Sequence, residues 1–281
     1  MIRFDSFQIK IIACILMVID HMAIFFPPYI SLPMQWLGRL SFPLFVFLIG
    51  WGCVYTHNIR NYVLRLYVAS VVMCGIALVL NRSSNAFTDL LHVALLIAII
   101  SSSKKKRAIG IAGYVIWQVV STLILQSLSP ILGNVFIYIA STIFANWISL
   151  DGGYFYVILG IVLWKFHDSR VSLSLAFSSS VLLLFASQFA SHAASELMYT
   201  APTNLISVVD QVLFVLLRND GGLWNPLFVQ YQWMMIFSLP IMLLYNNRRG
   251  LPVKWLFYVF YPAHLAIITI AMRLLGVNYG A

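Results

Sequence analysis

Apolar residues run along this chain in long blocks with short polar punctuation between them. The blocks lie at about 8–27, 34–56, 62–81, 87–102, 108–128, 131–149, 153–166, 172–190, 205–217, 226–245 and 253–274. A helix crosses a bilayer with about 20 residues, 17–25 being tolerated, and most of the blocks meet that length. Two of them, 153–166 and 205–217, are short, and 131–149 carries Asn134 and Asn146. The pairs Pro27-Pro28 and Ser129-Pro130 mark turns. The pattern predicts an all-α fold, a polytopic transmembrane helix bundle of about 9–11 helices. No stretch outside the apolar blocks is long enough for a separate domain, so residues 1–281 are expected to form a single integral-membrane domain.

Composition agrees: 62% of the 281 residues are hydrophobic and only 9% are charged, against roughly 25% charged in soluble domains. The net charge of +9 is no signature of nucleic-acid binding, because the basic residues fall between apolar blocks rather than on one soluble face. The clusters Lys104-Lys105-Lys106-Arg107, Arg60 with Arg65, and Arg248-Arg249 with Lys254 can all be cytoplasmic together with Arg3 and Lys10. That arrangement puts the N-terminus in the cytoplasm and the C-terminus in the periplasm. The loop from Lys165 to Arg170 fits either side: nine crossings if it is cytoplasmic and 131–149 and 205–217 do not span, eleven if it is periplasmic. The three cysteines, Cys14, Cys53 and Cys74, all lie in apolar runs. Their number and spacing suit neither a disulfide framework nor a zinc site, and no metal is expected.

Ionisable groups inside apolar blocks are where chemistry is to be sought, since a charge at the centre of a spanning helix costs about 2.5–3.5 kcal/mol on insertion scales. Asp20-His21 interrupts the first block. On a helix, Lys10, Cys14, Met17 and His21 share one stripe, and the eleven residues from Lys10 to His21 are about 16 Å along the axis. Asp20 points about 100° away from His21, so it is expected to pair with a neighbouring helix. Arg39, just beyond the short loop 28–33, is an available partner; the alternative for Arg39 is the outer headgroups. Lys10 alone reads equally as a snorkelling interface residue.

The last block repeats the layout. Lys254 precedes His264 by ten residues, about 15 Å, so His264 and His21 are expected at similar depth. Tyr258, Tyr261 and Pro262 lie between. Pro262 frees the carbonyl of Tyr258, which suits a kink beside a cavity, or a purely structural kink. Asp151-Gly152-Gly153-Tyr154 opens another apolar run, where Asp151 can also be only a helix cap. Histidines 57, 92, 167 and 192 lie near block ends, where interfacial solvation accounts for them.

The run from Ile9-Lys10-Ile11-Ile12 through Leu16-Met17-Val18-Ile19-Asp20-His21 resembles the opening helix of the TraX family. Gly38-Arg39 with Phe42-Pro43-Leu44-Phe45, then Thr56-His57-Asn58 through Arg65-Leu66, are similar to that family too. Asp151-Gly152-Gly153-Tyr154 is similar to its Asp-Tyr-Gly element, with glycine for the tyrosine. Lys254-Trp255 through Tyr258, Tyr261 and His264-Leu265 resembles its closing helix. The spacing in the first helix also resembles the wider membrane acyltransferase superfamily, where the basic residue is arginine.

The resemblance implies an acetyltransferase of the bacterial inner membrane that acetylates the N-terminus of processed pilin in conjugative pilus biogenesis. The co-substrate would be acetyl-CoA and the acceptor partner the pilin subunit, within the lipid bilayer. His21, His264 and Tyr261 would then carry the chemistry. Asp20, Arg39, Asp151 and Tyr258 would support it, and Lys10 with Lys254 would hold the CoA phosphates. A membrane acyltransferase for a sugar or lipid acceptor, and a non-enzymatic transporter or pilus-assembly factor, are the alternatives.

Overall fold

The computed structural model describes residues 3–81, 84–198 and 225–276. The predicted block 205–217 lies outside the described residues. Within them the chain is helical: α1 (Ser6–Met22), α2 (Pro28–Gly38), α3 (Ser41–Tyr55), α4 (Ile59–Leu80), α5 (Ala86–Ile100), α6 (Lys104–Ile143), α7 (Tyr154–Lys165), α8 (Arg170–Met198), α9 (Leu239–Leu243) and α10 (Lys254–Leu274). A 3-10 stretch, Tyr231–Ser238, leads into α9. Six segments among the described residues are long and apolar enough to cross a membrane, and three shorter apolar helices accompany them. The expected all-α, multi-pass membrane architecture is therefore found.

Local sequence explains where the helices start. Asp5 caps α1, its carboxylate accepting the Gln8 backbone N–H at 2.8 Å while the Gln8 side chain accepts the Asp5 N–H at 2.9 Å. Proline at the first position of α2 loses no helix bond. The Asn58 side chain caps α4 by accepting the Asn61 N–H.

The chain divides into two compact units, Met1–Leu48 with Lys165–Ala281 and Ile49–Trp164. In the first, α1 packs on α2 and on α10, and the 3-10 stretch packs on α2 and α8. The N-terminus is tied down there: the Phe4 N–H donates to the Leu244 carbonyl at 2.9 Å, and the Asn246 N–H to the Phe4 carbonyl at 2.8 Å.

In the second unit α5 packs against α4 and α6. Here the predicted blocks 108–128 and 131–149 form two helical arms. Helix α6 contains both, broken at Gly133 (φ 75°, ψ 167°), a conformation open essentially to glycine alone. Beyond it the chain folds back, so that residues 144–147 lie beside Trp117, Gln118 and Ser121, midway along the first arm. The second arm stops there, and α7 begins only at Tyr154. Trp164 closes on Gly50, where a Cβ would lie 3.2 Å from it, and nearby Gly52 rests on Tyr62 in the first turn of α4. Thus α7 runs towards the end of the unit where α4 begins. Two short arms, interrupted at 144–153, take the place of one continuous helix.

Candidate functional site

The stripe Lys10–His21 on α1 faces α10. Lys10 Nζ lies 5.0 Å from the centre of the Phe257 ring, and three turns further His21 meets His264, ring centres 5.1 Å apart. The two histidines that depth-matching paired are thus neighbours. Lys254 begins α10, but its side chain lies outside the described residues.

Around His264 the geometry is defined. It is buried, at 6% exposure, with Tyr261, also buried, at 5.6 Å between ring centres. Phe260 stacks on it, 5.2 Å away and nearly parallel at 13°. Its Nδ1 lies 3.0 Å from the Phe260 carbonyl. A carbonyl can only accept, so Nδ1 donates there, and Nε2 is the nitrogen that can exchange a proton. Pro262 sits inside α10 between these residues without ending it. Tyr258, one turn before, is half-buried, with Trp255 at 5.9 Å.

Asp20 leaves the His21 face as helix geometry requires and pairs with Arg39, NH2 to Oδ1 at 3.1 Å. The guanidinium also donates from NH1 to Gln232 Oε1 at 3.1 Å and lies 5.4 Å over the Tyr231 ring. Tyr231 in turn donates to the Gln35 side chain. Such a planar, permanently charged fork suits several fixed acceptors at once. The pair forms because Gly38 has no side chain: a Cβ there would stand 2.1 Å from Asp20 Oδ1. Gln232 and Tyr231 carry no sequence signal, since they arrive from a 3-10 stretch nearly two hundred residues downstream.

Asp151 belongs to the second unit and is exposed. Its carboxylate accepts from Ser84 Oγ at 3.1 Å. Its turn is held by a second carboxylate. Asp89, fully buried, accepts the Asp151 N–H at 2.9 Å and the Gly152 N–H at 3.1 Å. His92 is a correction to the sequence reading. It is not an interfacial residue near a block end but has 0% exposure, with Nδ1 2.8 Å from the Tyr114 hydroxyl. Asp89 is a missed residue; its signal was a lone carboxylate in the apolar block 87–102.

What the first unit assembles is a buried imidazole with a defined proton-exchanging nitrogen, a second imidazole, a phenol and a cation one face of α1 away. Such groups can accept and pass on a proton and polarise a carbonyl. No group of three or more His, Cys, Asp or Glu able to hold a metal occurs among the described residues. A protein-family model described as TraX protein matches residues 6–272. Neither the curated proteins nor the solved structures yield a match.

Proposed function

Because the chain belongs to the TraX family, we propose that it serves the conjugative pilus as a multi-pass acetyltransferase of the bacterial inner membrane. In this reading the acetyl group of cytoplasmic acetyl-CoA passes to the N-terminal amine of processed pilin. The observation that carries it is the meeting of His21 and His264, one imidazole from each terminal helix, 5.1 Å apart.

The mechanism needs a base and a polarising group. The neutral amine nitrogen attacks the thioester carbonyl carbon, the C–S bond breaks, and CoA leaves as the thiol after taking up a proton. His21 acts as general base on the amine, with the acetyl-carrying nucleophile as the less favoured role. His264 and Tyr261 polarise the carbonyl or relay the proton. Lys10, and Lys254 with it, hold the CoA phosphates at the cytoplasmic mouth. Asp20 and Arg39 fix the end of α1 that carries His21, and Tyr258 supports the site from α10.

The purified protein incubated with acetyl-CoA and unacetylated pilin should yield acetylated pilin and an equal amount of free CoA thiol. Acetylation of a glycan or lipid instead would replace the acceptor. Failure either to bind or to hydrolyse acetyl-CoA would favour the transporter or assembly role, to which buried Asp, His and Arg are equally suited.

A further inference from the structure

Arg65 stands nearly two turns inside α4, one of the segments long and apolar enough to cross a membrane. The helix has 22 residues, about 33 Å, close to the thickness of a bilayer's hydrocarbon core. Six residues separate Ile59 from Arg65, so the arginine Cα lies about 9 Å in from the end of the helix. A guanidinium keeps its charge there. A charge within a span needs a counter-charge, backbone carbonyls or a path to the headgroups.

The protein supplies neither of the first two. Between positions 49 and 164 the sequence has only two acidic residues, Asp89 and Asp151. Asp89 is engaged by the Asp151 and Gly152 N–H groups, and Asp151 accepts from Ser84. Arg65 makes no ion pair or hydrogen bond among the described residues, and its Nε is buried. Instead the guanidinium lies 5.9 Å over the ring of Tyr62. Tyr62 is one turn nearer the end of the helix. The side chain therefore leans back towards that end, as a snorkelling arginine must. With Nε enclosed, the two terminal nitrogens are left to meet an anion.

The placement of Arg65 on α4 selects that anion. Leu64, Val68 and Val72 form an exposed apolar stripe, while Leu66, Ser70 and Met73 are buried on the packed face. At 100° per residue Arg65 falls between the two, on the seam where protein meets lipid. A partner reaching that seam comes sideways out of the bilayer. The same end of the unit is basic: Arg60 precedes Arg65, and Lys104-Lys105-Lys106-Arg107 open α6 there. Arg60 and the three lysines are exposed and attract anions without fixing one. Arg65 is half-buried and held.

We propose that Arg65, seated on Tyr62, is a binding site for the phosphate of an anionic bilayer lipid at the edge of α4. The terminal nitrogens of its fork donate to two phosphate oxygens. The site is independent of the acyl-transfer reading.

The test uses the full-length protein in detergent and short-chain phosphatidylglycerol or phosphatidylcholine carrying a fluorescent acyl chain, titrated by anisotropy. The titrations are run in about 1 M salt, which screens charges more than about 3 Å apart. Phosphatidylglycerol should bind about tenfold more tightly than phosphatidylcholine, as expected of hydrogen bonds to a charged group. Arg65→Gln should remove that preference, and Arg60→Gln, an exposed neighbour, should leave it within about twofold. Equal binding of the two lipids to the unaltered protein would overturn the proposal, whether or not Arg65→Gln folds. So would equal losses in Arg60→Gln and Arg65→Gln, which would leave only a diffuse basic surface. Excess glycerol 3-phosphate should not displace phosphatidylglycerol; displacement would assign the site to a soluble phosphate and overturn the lipid assignment.

Discussion

At the scale of single residues, the sequence exposed those groups whose position in a helix is itself abnormal. His21 and His264 were found because each interrupts an apolar block at about the same distance from a basic residue, and helix rise does the rest. Their contact through α1 and α10 follows from that depth. Replacing either by alanine should slow acetyl transfer by about 10²–10⁴-fold, the usual contribution of a positioned acid or base, with initial rates of CoA release as the measurement. Arg39 was legible as a charge needing a partner, but only Asp20 could be named; Gln232 and Tyr231 could not. Arg39→Lys keeps the charge and loses the fork that reaches Asp20 and Gln232 together. It should lower stability by about 2 kcal/mol, within the range for hydrogen bonds to charged groups and short of a fully buried pair because the partners keep 29% and 22% exposure. Thermal unfolding in detergent reads this out. Asp89 escaped notice because a carboxylate whose partners are backbone N–H groups leaves no complementary side chain in the sequence.

At the scale of elements, most helix limits followed the apolar blocks, and the early end of the second arm of α6 is instructive. The blocks 108–128 and 131–149 are the two arms of α6, turned back at Gly133, and the second stops at Ile143. The turn was legible at Ser129-Pro130, three residues before that glycine. Also legible was Asn146, a polar residue now seen to satisfy the broken backbone beside Ser121 and Gln118. Glycine substitutions separate these roles. Gly38→Ala pushes a methyl group to within 2.1 Å of Asp20 and should destabilise by about 1–3 kcal/mol, as overpacking does. Gly133→Ala should cost a similar ~1–3 kcal/mol through backbone strain alone, since a Cβ there meets nothing within 4 Å. Gly75→Ala, in the interior of α4 with nothing within 4 Å, should instead stabilise by about 0.5–1 kcal/mol. Melting curves of the three variants check all three signs.

At the scale of the molecule, hydropathy alone was enough to read a multi-pass helical membrane protein, because six of its apolar helical segments have the length a bilayer crossing needs. It could not say which blocks cross, since two half-length arms have the same composition as one buried helix. The fold-back at Gly133 and the return of α7 put the start of α6 and the end of α7 at the same end of the second unit. Single cysteines at Lys105 and Lys165 should therefore be labelled by an impermeant maleimide from the same side of the membrane; labelling from opposite sides would contradict that path. The central claim is that His21 serves acetyl transfer to pilin, and the intact mass of mature pilin tests it most directly. Cells carrying this protein should yield pilin with the acetyl increment, and cells carrying His21→Ala, with the protein present in the membrane at normal abundance, should yield pilin without it. Fully acetylated pilin from the His21→Ala cells would contradict the account.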